Sequence, residues 1–288
     1  MDDLLTRFSR CRDFRQTSGY AAITKSIGWK AIGTPGSYLY LKHLGPLGIA
    51  KLQRPETINF AELAKFRKEN HIFWTFVEPG LHTKFIGNPP KHPWYIEPYA
   101  HSATALIDLK KSESSLLKNL DTATRTKIRR AGKDLTIKTT PLTKTTKGEI
   151  NQFLALATKW SERKKVIGYE AKYLQKIVTQ FHKDAYFVSA FDKKELVSQL
   201  LLIKQGSLAT AFCIFTSPHG YHLRAPMLVN WKSMHYAKKL GATIFDFFGI
   251  YDPRYPKMYR RWQGFSAAKM LFKPTFISFP RSYMLLGW

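Results

Sequence analysis

Apolar positions near the start of the chain change period several times. Over FRQTSGYAAITKSIGW (14–29) they recur at near-helical spacing and stop at Gly28, so a helix leads there into a strand. Ala31 to Gly33 and Tyr38 to Leu44 flank TPGS, a proline-glycine turn, and read as a hairpin. Asn59 followed by Glu62 is a capping-box pattern in front of FAELAKFRKEN, and IFWTFV (72–77) follows as a strand. The order is β, β, α, β. NPPKHPWYIEPYA, rich in proline and aromatic residues, reads as a loop that ends where TALIDL (104–109) begins another strand.

Ser112 caps a long basic helix, SESSLLKNLDTATRTKIRRAGKD, with Leu116, Leu117, Leu120, Ile128 and Ala131 along one side and Arg125 and Arg129 on another. After LTIKTT the spacing predicts helices over about 148–164 and 171–182. Three strands follow, AYFVSAF, ELVSQLLLI and LATAFCIF, joined by the tight turns DKK and KQGS. The helix APMLVNWKSMHYAKKLG ends at Gly241, and the strand TIFDF leads into GIYDPRYPKMYRRWQGF. The second half is α, α, β, β, β, α, β. No low-complexity linker separates the halves and no sequence repeat relates them, yet both mix antiparallel strands with helices. The pattern predicts an α+β fold of two packed lobes.

Composition narrows the function. The chain has 288 residues, 44% of them hydrophobic, enough for one large core or two smaller ones. Its longest apolar runs fall well short of the roughly 20 residues that span a bilayer. The opening MDDLLTRFSRCRDFRQ is charged throughout and lacks the apolar core of a secretion signal, so a cytoplasmic location is expected. Cys11 and Cys213 have no disulfide or metal-ligand spacing, and His219, His222 and His235 have none either; no metal is expected. The decisive total is charge. Against 20 Asp and Glu stand 46 Lys and Arg, a net +26, and such a field draws in polyanions: nucleic acid through its phosphates, or an anionic membrane face.

Several motifs in this order resemble the Fem-type aminoacyltransferases that build peptidoglycan cross-bridges. TRTKIRRAGKD is similar to the family's T-R-x-x-I-R-x-A segment. NWKSMHYAKKLGATIFDFFGI is similar to W-x-x-x-x-x-A-x-x-x-G-x-x-x-(Y/F)-D-F-x-G-(I/V), and MYRRWQGF, expected as a helix that presents positive and aromatic side chains, stands where the family has L-Y-x-F-K-x-G-F. SIGWKA and ATALIDL are weaker matches. The resemblance implies two acetyltransferase-like (GNAT-like) lobes with mixed, largely antiparallel sheets flanked by helices. The expected division is a first lobe over 1–109, a second over 110–268 that carries the basic helix, and a C-terminal strand in 269–288 packing back on the first lobe. The implied substrate sites are a cleft of the first lobe and the junction between lobes.

The implied reaction takes an amino acid from an aminoacyl-tRNA and forms an amide on the stem peptide of a lipid-linked cell-wall precursor. No cofactor is needed, because the tRNA ester is already activated. The implied partners are aminoacyl-tRNA and the precursor at the inner membrane face, where the protein is expected as a peripheral monomer. No heptads are sustained enough for a tRNA-binding coiled coil, so any tRNA contact uses the globular surface. Two rival readings are a non-catalytic RNA-binding or membrane-surface protein that keeps the fold, and an acyl-CoA-dependent acetyltransferase. The last ranks lowest, since no glycine-rich pyrophosphate loop opens a helix.

The resemblance also implies site residues. Lys30 lies within one position of a family lysine that contacts the precursor; its other reading is a strand-edge lysine. Tyr173 matches a precursor-contacting tyrosine in a YEAKYL segment, although Tyr169 replaces the arginine expected four residues before it. Arg125, Arg129 and Arg130 are candidates for tRNA or precursor phosphates, or for a solvated face. Asp246, set among apolar residues, requires a partner and reads as an acid that holds a loop or an arginine. Gly249 permits a turn. The family lysine of the last motif is replaced by Trp262, so the positive group near the developing oxyanion is assigned to Arg261, then Arg260, with Trp262 stacking on substrate.

Overall fold

The computed structural model describes residues 3–88, 94–165 and 170–287. In chain order they form α1 (Leu4–Ser9), α2 (Ser18–Lys25), β1 (Lys30–Ile32), β2 (Leu39–Leu44), β3 (Leu47–Gln53), β4 (Thr57–Asn59), α3 (Phe60–Glu69), β5 (Ile72–Glu78), β6 (Lys84–Ile86), β7 (Trp94–Tyr95) and β8 (Ala103–Asp108). Then follow α4 (Glu113–Asn119), α5 (Thr122–Asp134), β9 (Thr136–Pro141), α6 (Lys147–Lys164), α7 (Ala171–Gln180), β10 (Ala185–Asp192), β11 (Glu195–Gln205) and β12 (Leu208–Thr216). The chain closes with α8 (Pro218–His222), α9 (Ala225–Lys239), β13 (Ile244–Asp246), α10 (Gln263–Met270), β14 (Thr275–Ser278) and β15 (Tyr283–Leu286).

These elements make two compact units. The first comprises Met1–Ala103, Tyr251–Arg260 and Ser278–Trp288, the second Thr104–Ile250 and Arg261–Ile277. In the first unit six strands run in the order β1-β2-β3-β5-β15-β7. All neighbours are antiparallel except β3 and β5, which are parallel with α3 in the connection. Because side chains alternate along a strand, one face of this sheet is apolar: Leu39, Leu41, Ala50, Leu52 and Val77 pack under Phe60 and Leu63 of α3. Asn59 caps α3 by accepting from the backbone N–H of Ala61 and Glu62. The short N-terminal segment is tied in by buried charge, with Asp13 accepting from Arg15 at 3.1 Å and Arg54 at 2.8 Å.

The second unit has seven strands in the order β14-β8-β13-β12-β11-β10-β9, in which β8–β13, β12–β11, β11–β10 and β10–β9 are antiparallel and β12–β13 is parallel. Phe153 of α6 packs on Phe187 and Phe215 on one side of the sheet. Helix α9 packs on β10, β11 and β12, and α5 lies against α9.

Four local expectations change. The basic helix is two helices: Leu120 and Asp121 leave helical geometry, and Asp121 caps α5 by accepting from Thr124 N at 2.6 Å. An N-cap in the middle of an apolar stripe overrides the stripe. Strand β3 was not expected, because Gly45-Pro46 and Gly48 interrupt the alternation in LGPLGIAKLQ. In the proline-rich stretch, Trp94–Tyr95 pair with β15, while residues 89–93 lie outside the described residues. MYRRWQGF is not one regular helix either: Arg260–Trp262 form a 3-10 turn and α10 starts only at Gln263.

Candidate functional site

The parallel strand β13 ends at Asp246, and the next three residues make a turn of unusual backbone. Phe248 has φ +51° and Gly249 φ +70°, two successive left-handed residues, of which only the glycine adopts that region freely. Side chains hold the turn from both sides. Asp246, buried, accepts from the Phe248 backbone N–H at 2.8 Å and from the Thr104 hydroxyl. Lys269, from α10, donates through Nζ to the carbonyl oxygens of Phe247, Phe248 and Gly249 at 2.6, 3.0 and 2.8 Å. Three acceptors match the three N–H bonds of an ammonium, one more than a neutral amine has. Burial pushes the Lys269 pKa down to about 7, against the pull of the Asp246 carboxylate. Asp246 therefore acts on the turn through its carboxylate, and the partner that completes the arrangement is a lysine rather than an arginine.

Downstream, Arg261 is exposed and donates Nη1 to the Lys165 carbonyl, just past the end of α6, at 2.9 Å. Trp262, half-buried, packs on Phe265 with ring centroids 5.4 Å apart. Arg260 is exposed. In a 3-10 turn successive side chains point about 120° apart. Arg261 thus keeps part of its guanidinium for other contacts while one nitrogen is committed to the end of α6.

The three candidate arginines of α5 differ in what they touch. Arg125 is engaged, donating to the Leu120 carbonyl at 2.9 Å and to Thr122 Oγ1 at 2.9 Å, which braces the break between α4 and α5. Arg129 and Arg130 are exposed, with no hydrogen bond or ion pair to any described residue. Tyr173 sits half-buried on α7, which packs against α6. Tyr169 lies outside the described residues.

In the first unit, Lys30 opens β1 exposed and in register with Leu41, so it shares the face on which α3 packs. Two residues on, Ile32 lines an open groove of about 480 Å³ between the sheet and α3, with Leu39, Leu52 and Phe66 in its wall and Glu62 and Glu69 at its rim. The segment after Ile250 is anchored by a buried acid that sequence reading passed over. Asp252 accepts from Ser102 Oγ at 2.5 Å and from Arg254 Nη2 at 2.7 Å, while Tyr259 donates to the Ala100 carbonyl at 3.0 Å. Burial pushes the Asp252 carboxyl up, but the bonds from Arg254 and Ser102 outweigh it and hold the pKa below the usual aspartate value. The signal for Asp252 was slight, an acid two residues before an arginine in a proline loop. For Lys269 there was none, since nothing local links it to Phe247.

Two mixed sheets, each with a parallel pair, together with a charged turn at the end of β13, define the class: a tandem of acetyltransferase-like (GNAT-like) lobes, α+β, with largely antiparallel sheets. The FemAB family pattern matches residues 95–206, a span that includes α5 and Tyr173. Among solved structures, FemX superposes with a TM-score of 0.73 at 15% identity, covering 98% of this chain and 94% of FemX. The C-terminal domain of a putative lysylphosphatidylglycerol synthetase from Agrobacterium fabrum gives 0.60 at 13% identity, over 95% of this chain and 89% of that one. The L-PGS structure from Bacillus licheniformis gives 0.57 at 10% identity, over 92% and 86%. No curated protein sequence matches. The Fem-type resemblance of the motifs thus holds in both comparisons, in sequence over residues 95–206 and in fold over nearly the whole chain.

Proposed function

We propose that this protein is a tRNA-dependent aminoacyltransferase that adds an amino acid to the stem peptide of a lipid-linked peptidoglycan precursor. The observation that carries the reading is the FemAB match, because it falls on the segment that holds the most basic helix of the chain. In the reaction the acceptor's amine attacks the ester carbonyl of aminoacyl-tRNA, the carbon–oxygen bond to the ribose breaks, and the amine's proton leaves with the released hydroxyl. Such a step needs positioning and a positive group beside the tetrahedral oxyanion. Arg261 is the proposed group, with Arg260 second and Trp262 stacking on substrate. Lys30 and Tyr173 are proposed contacts to the acceptor.

The donor's phosphates are assigned to the face made by α5 and α9. Among the described residues Arg129 and Arg130 have no hydrogen-bond or ion-pair partner, and the packing of α5 on α9 adds the exposed Lys232, Lys238 and Lys239, of which Lys238 also donates to the Lys111 carbonyl. Exposed cationic side chains suit polyanion contact, where affinity comes from released counterions. The same charge supports peripheral attachment to an anionic inner membrane face. Among the described residues no helix is long and apolar enough to cross a membrane.

A second reading rests on Trp262, which cannot stabilise an oxyanion as the family's lysine does: the chain would then be a binding protein that keeps the fold. One assay separates the two. Purified protein is incubated with a mixture of charged tRNAs and either lipid-linked precursor or phospholipid, and products are weighed by mass spectrometry. An amino-acid increment on the precursor supports the proposal, an increment on the phospholipid moves the acceptor, and no increment on either supports the binding protein.

A further inference from the structure

One edge of the first unit's sheet is aromatic where sheet edges are ordinarily charged. The six strands end in β1 on one side and in β7 on the other. β1 opens with the exposed Lys30, a charge of the kind that keeps an edge strand from associating. β7 consists of Trp94 and Tyr95 alone, 60% and 56% exposed. Because successive strand residues point to opposite faces, the two rings straddle the edge. Tyr95 is in register with Tyr283 of the core face, and Trp94 with Met284 on the other. Two positions beyond Met284 on that second face, Leu286 is 43% exposed and lengthens the apolar rim.

A positive charge is built into the same edge. The exposed Arg281 holds its guanidinium carbon 5.6 Å from the centroid of the Tyr95 ring. Backbone pairing continues past the rings, with Ile96 donating its N–H to the Ser282 carbonyl at 3.1 Å, so the rings and the guanidinium are carried on paired backbone. Glu97, exposed one residue further on, is the acid of this segment, and it stands against a chain of net charge +26.

Tryptophan and tyrosine join an apolar ring to a polar tip and collect at membrane–water boundaries. Area argues against a protein partner. An aromatic side chain buries about 150–250 Å², so two that are a little over half exposed offer on the order of 250 Å², far below the roughly 800 Å² per partner of a stable protein interface. A two-residue edge also gives an incoming strand few ladder bonds. A bilayer needs no such area, since its interface accepts single rings while cations answer its charge.

We propose that the β7 edge, Trp94 and Tyr95 with Leu286 and Arg281, is the surface by which the protein docks on an anionic bilayer. The rings enter the headgroup boundary and Arg281 stays at the lipid phosphates. This rests on the peripheral attachment proposed above and adds to it the surface that makes the contact.

The test is sedimentation of the full-length protein with vesicles of phosphatidylcholine alone and of phosphatidylcholine and phosphatidylglycerol in equal amounts. Wild type should bind the mixed vesicles. Trp94→Ala should weaken that binding by roughly ten- to a hundredfold, the worth of one buried ring, and Trp94→Phe, which keeps a ring, should weaken it less. Arg281→Gln should cost about fivefold on the mixed vesicles and leave binding to phosphatidylcholine unchanged. With lipid brominated in its acyl chains, the tryptophan fluorescence of bound wild type should be quenched, and Trp94→Phe should lose that quenching. Both rings are exposed, so thermal melts of these variants should match wild type; where one does not, quenching of wild type decides. Binding that Trp94→Ala and Tyr95→Ala leave unchanged, or bound wild type that is not quenched, overturns this edge as the docking surface and keeps peripheral attachment. No binding of wild type to either vesicle overturns both. Dimerisation of wild type that Trp94→Ala abolishes also overturns the inference, making the edge an interface between copies. No transfer substrate enters these measurements, so they stand or fall apart from the transferase reading.

Discussion

Lys269 donates to the carbonyl oxygen of Gly249 at 2.8 Å, and in doing so one side chain of α10 secures a turn twenty residues earlier in the chain. The same Nζ bonds the carbonyls of Phe247 and Phe248, so its removal leaves three buried acceptors unpaired. Each such loss costs about 1–3 kcal/mol. Lys269→Met should therefore destabilise the protein by at least about 3 kcal/mol in urea unfolding, by this scale. The dependence on pH has a definite sign. A base whose folded pKa lies near 7, below its unfolded value, binds fewer protons when folded, so between those values its contribution to stability rises with pH. The stability of wild type relative to Lys269→Met should accordingly climb from about pH 7 towards pH 10. A flat difference would show that the three carbonyls keep the ammonium charged throughout.

Binding of bulk tRNA should weaken steeply with salt, with a log–log slope of up to about 0.9 per phosphate contacted. Replacing Arg129 and Arg130 together with glutamine should flatten the slope by nearly two contacts, and adding Lys232→Gln, Lys238→Gln and Lys239→Gln should flatten it further. Arg125→Gln should act differently, lowering stability through the lost brace at Leu120 and Thr122 while changing the slope little. Fluorescence anisotropy at four or five salt concentrations measures all of these, and equal slopes in every variant would place the tRNA elsewhere.

Tyr173→Phe keeps the ring and removes one hydroxyl. If Tyr173 touches the acceptor, the KM for acceptor should rise by the worth of one hydrogen bond, about 0.5–1.5 kcal/mol, with KM for tRNA unchanged. Unaltered constants for both substrates would leave Tyr173 a packing residue between α7 and its neighbours.

Loss of a preorganised oxyanion donor costs on the order of a hundredfold in kcat. Arg261→Ala should show a loss of that size with tRNA affinity preserved; the bond to the Lys165 carbonyl is exposed, so stability should change little. Trp262→Lys should keep or raise activity. Two arginine variants, Arg261→Ala and Arg260→Ala, that both turn over like wild type would refute the assignment, and a wild type without transfer that gains it in Trp262→Lys would mark a binding protein descended from an enzyme.

Acid should loosen the segment that follows Ile250. The Asp252 carboxyl is held below its usual pKa by Arg254 and Ser102, which outweigh the opposing effect of burial. A depressed acid contributes stability that is complete above its unfolded pKa, near 4, and is lost as pH falls through the folded value. The stability difference between wild type and Asp252→Asn should be constant above about pH 5 and shrink below pH 4.

The sequence by itself determined what depends on near neighbours. Helical and strand periods placed most elements within a few residues, the cap at Asn59 started α3 where expected, and the excess of Lys and Arg foretold exposed cations such as Arg129 and Arg130. Asp246 was legible as a buried acid in need of a partner because burial of an unpaired carboxylate is costly wherever it occurs. Which partner it has was not legible. That Thr104 reaches Asp246, that Lys269 gathers the carbonyls of the next three residues, and that Trp29 and Tyr99 close around Lys51 follow only from strands paired out of sequence order: β13 beside β8, and β5 inserted between β3 and β15. Period and composition constrain which face a residue takes. The neighbour it meets there is set by long-range packing, in which many pairings satisfy the same local pattern and only the whole fold selects one.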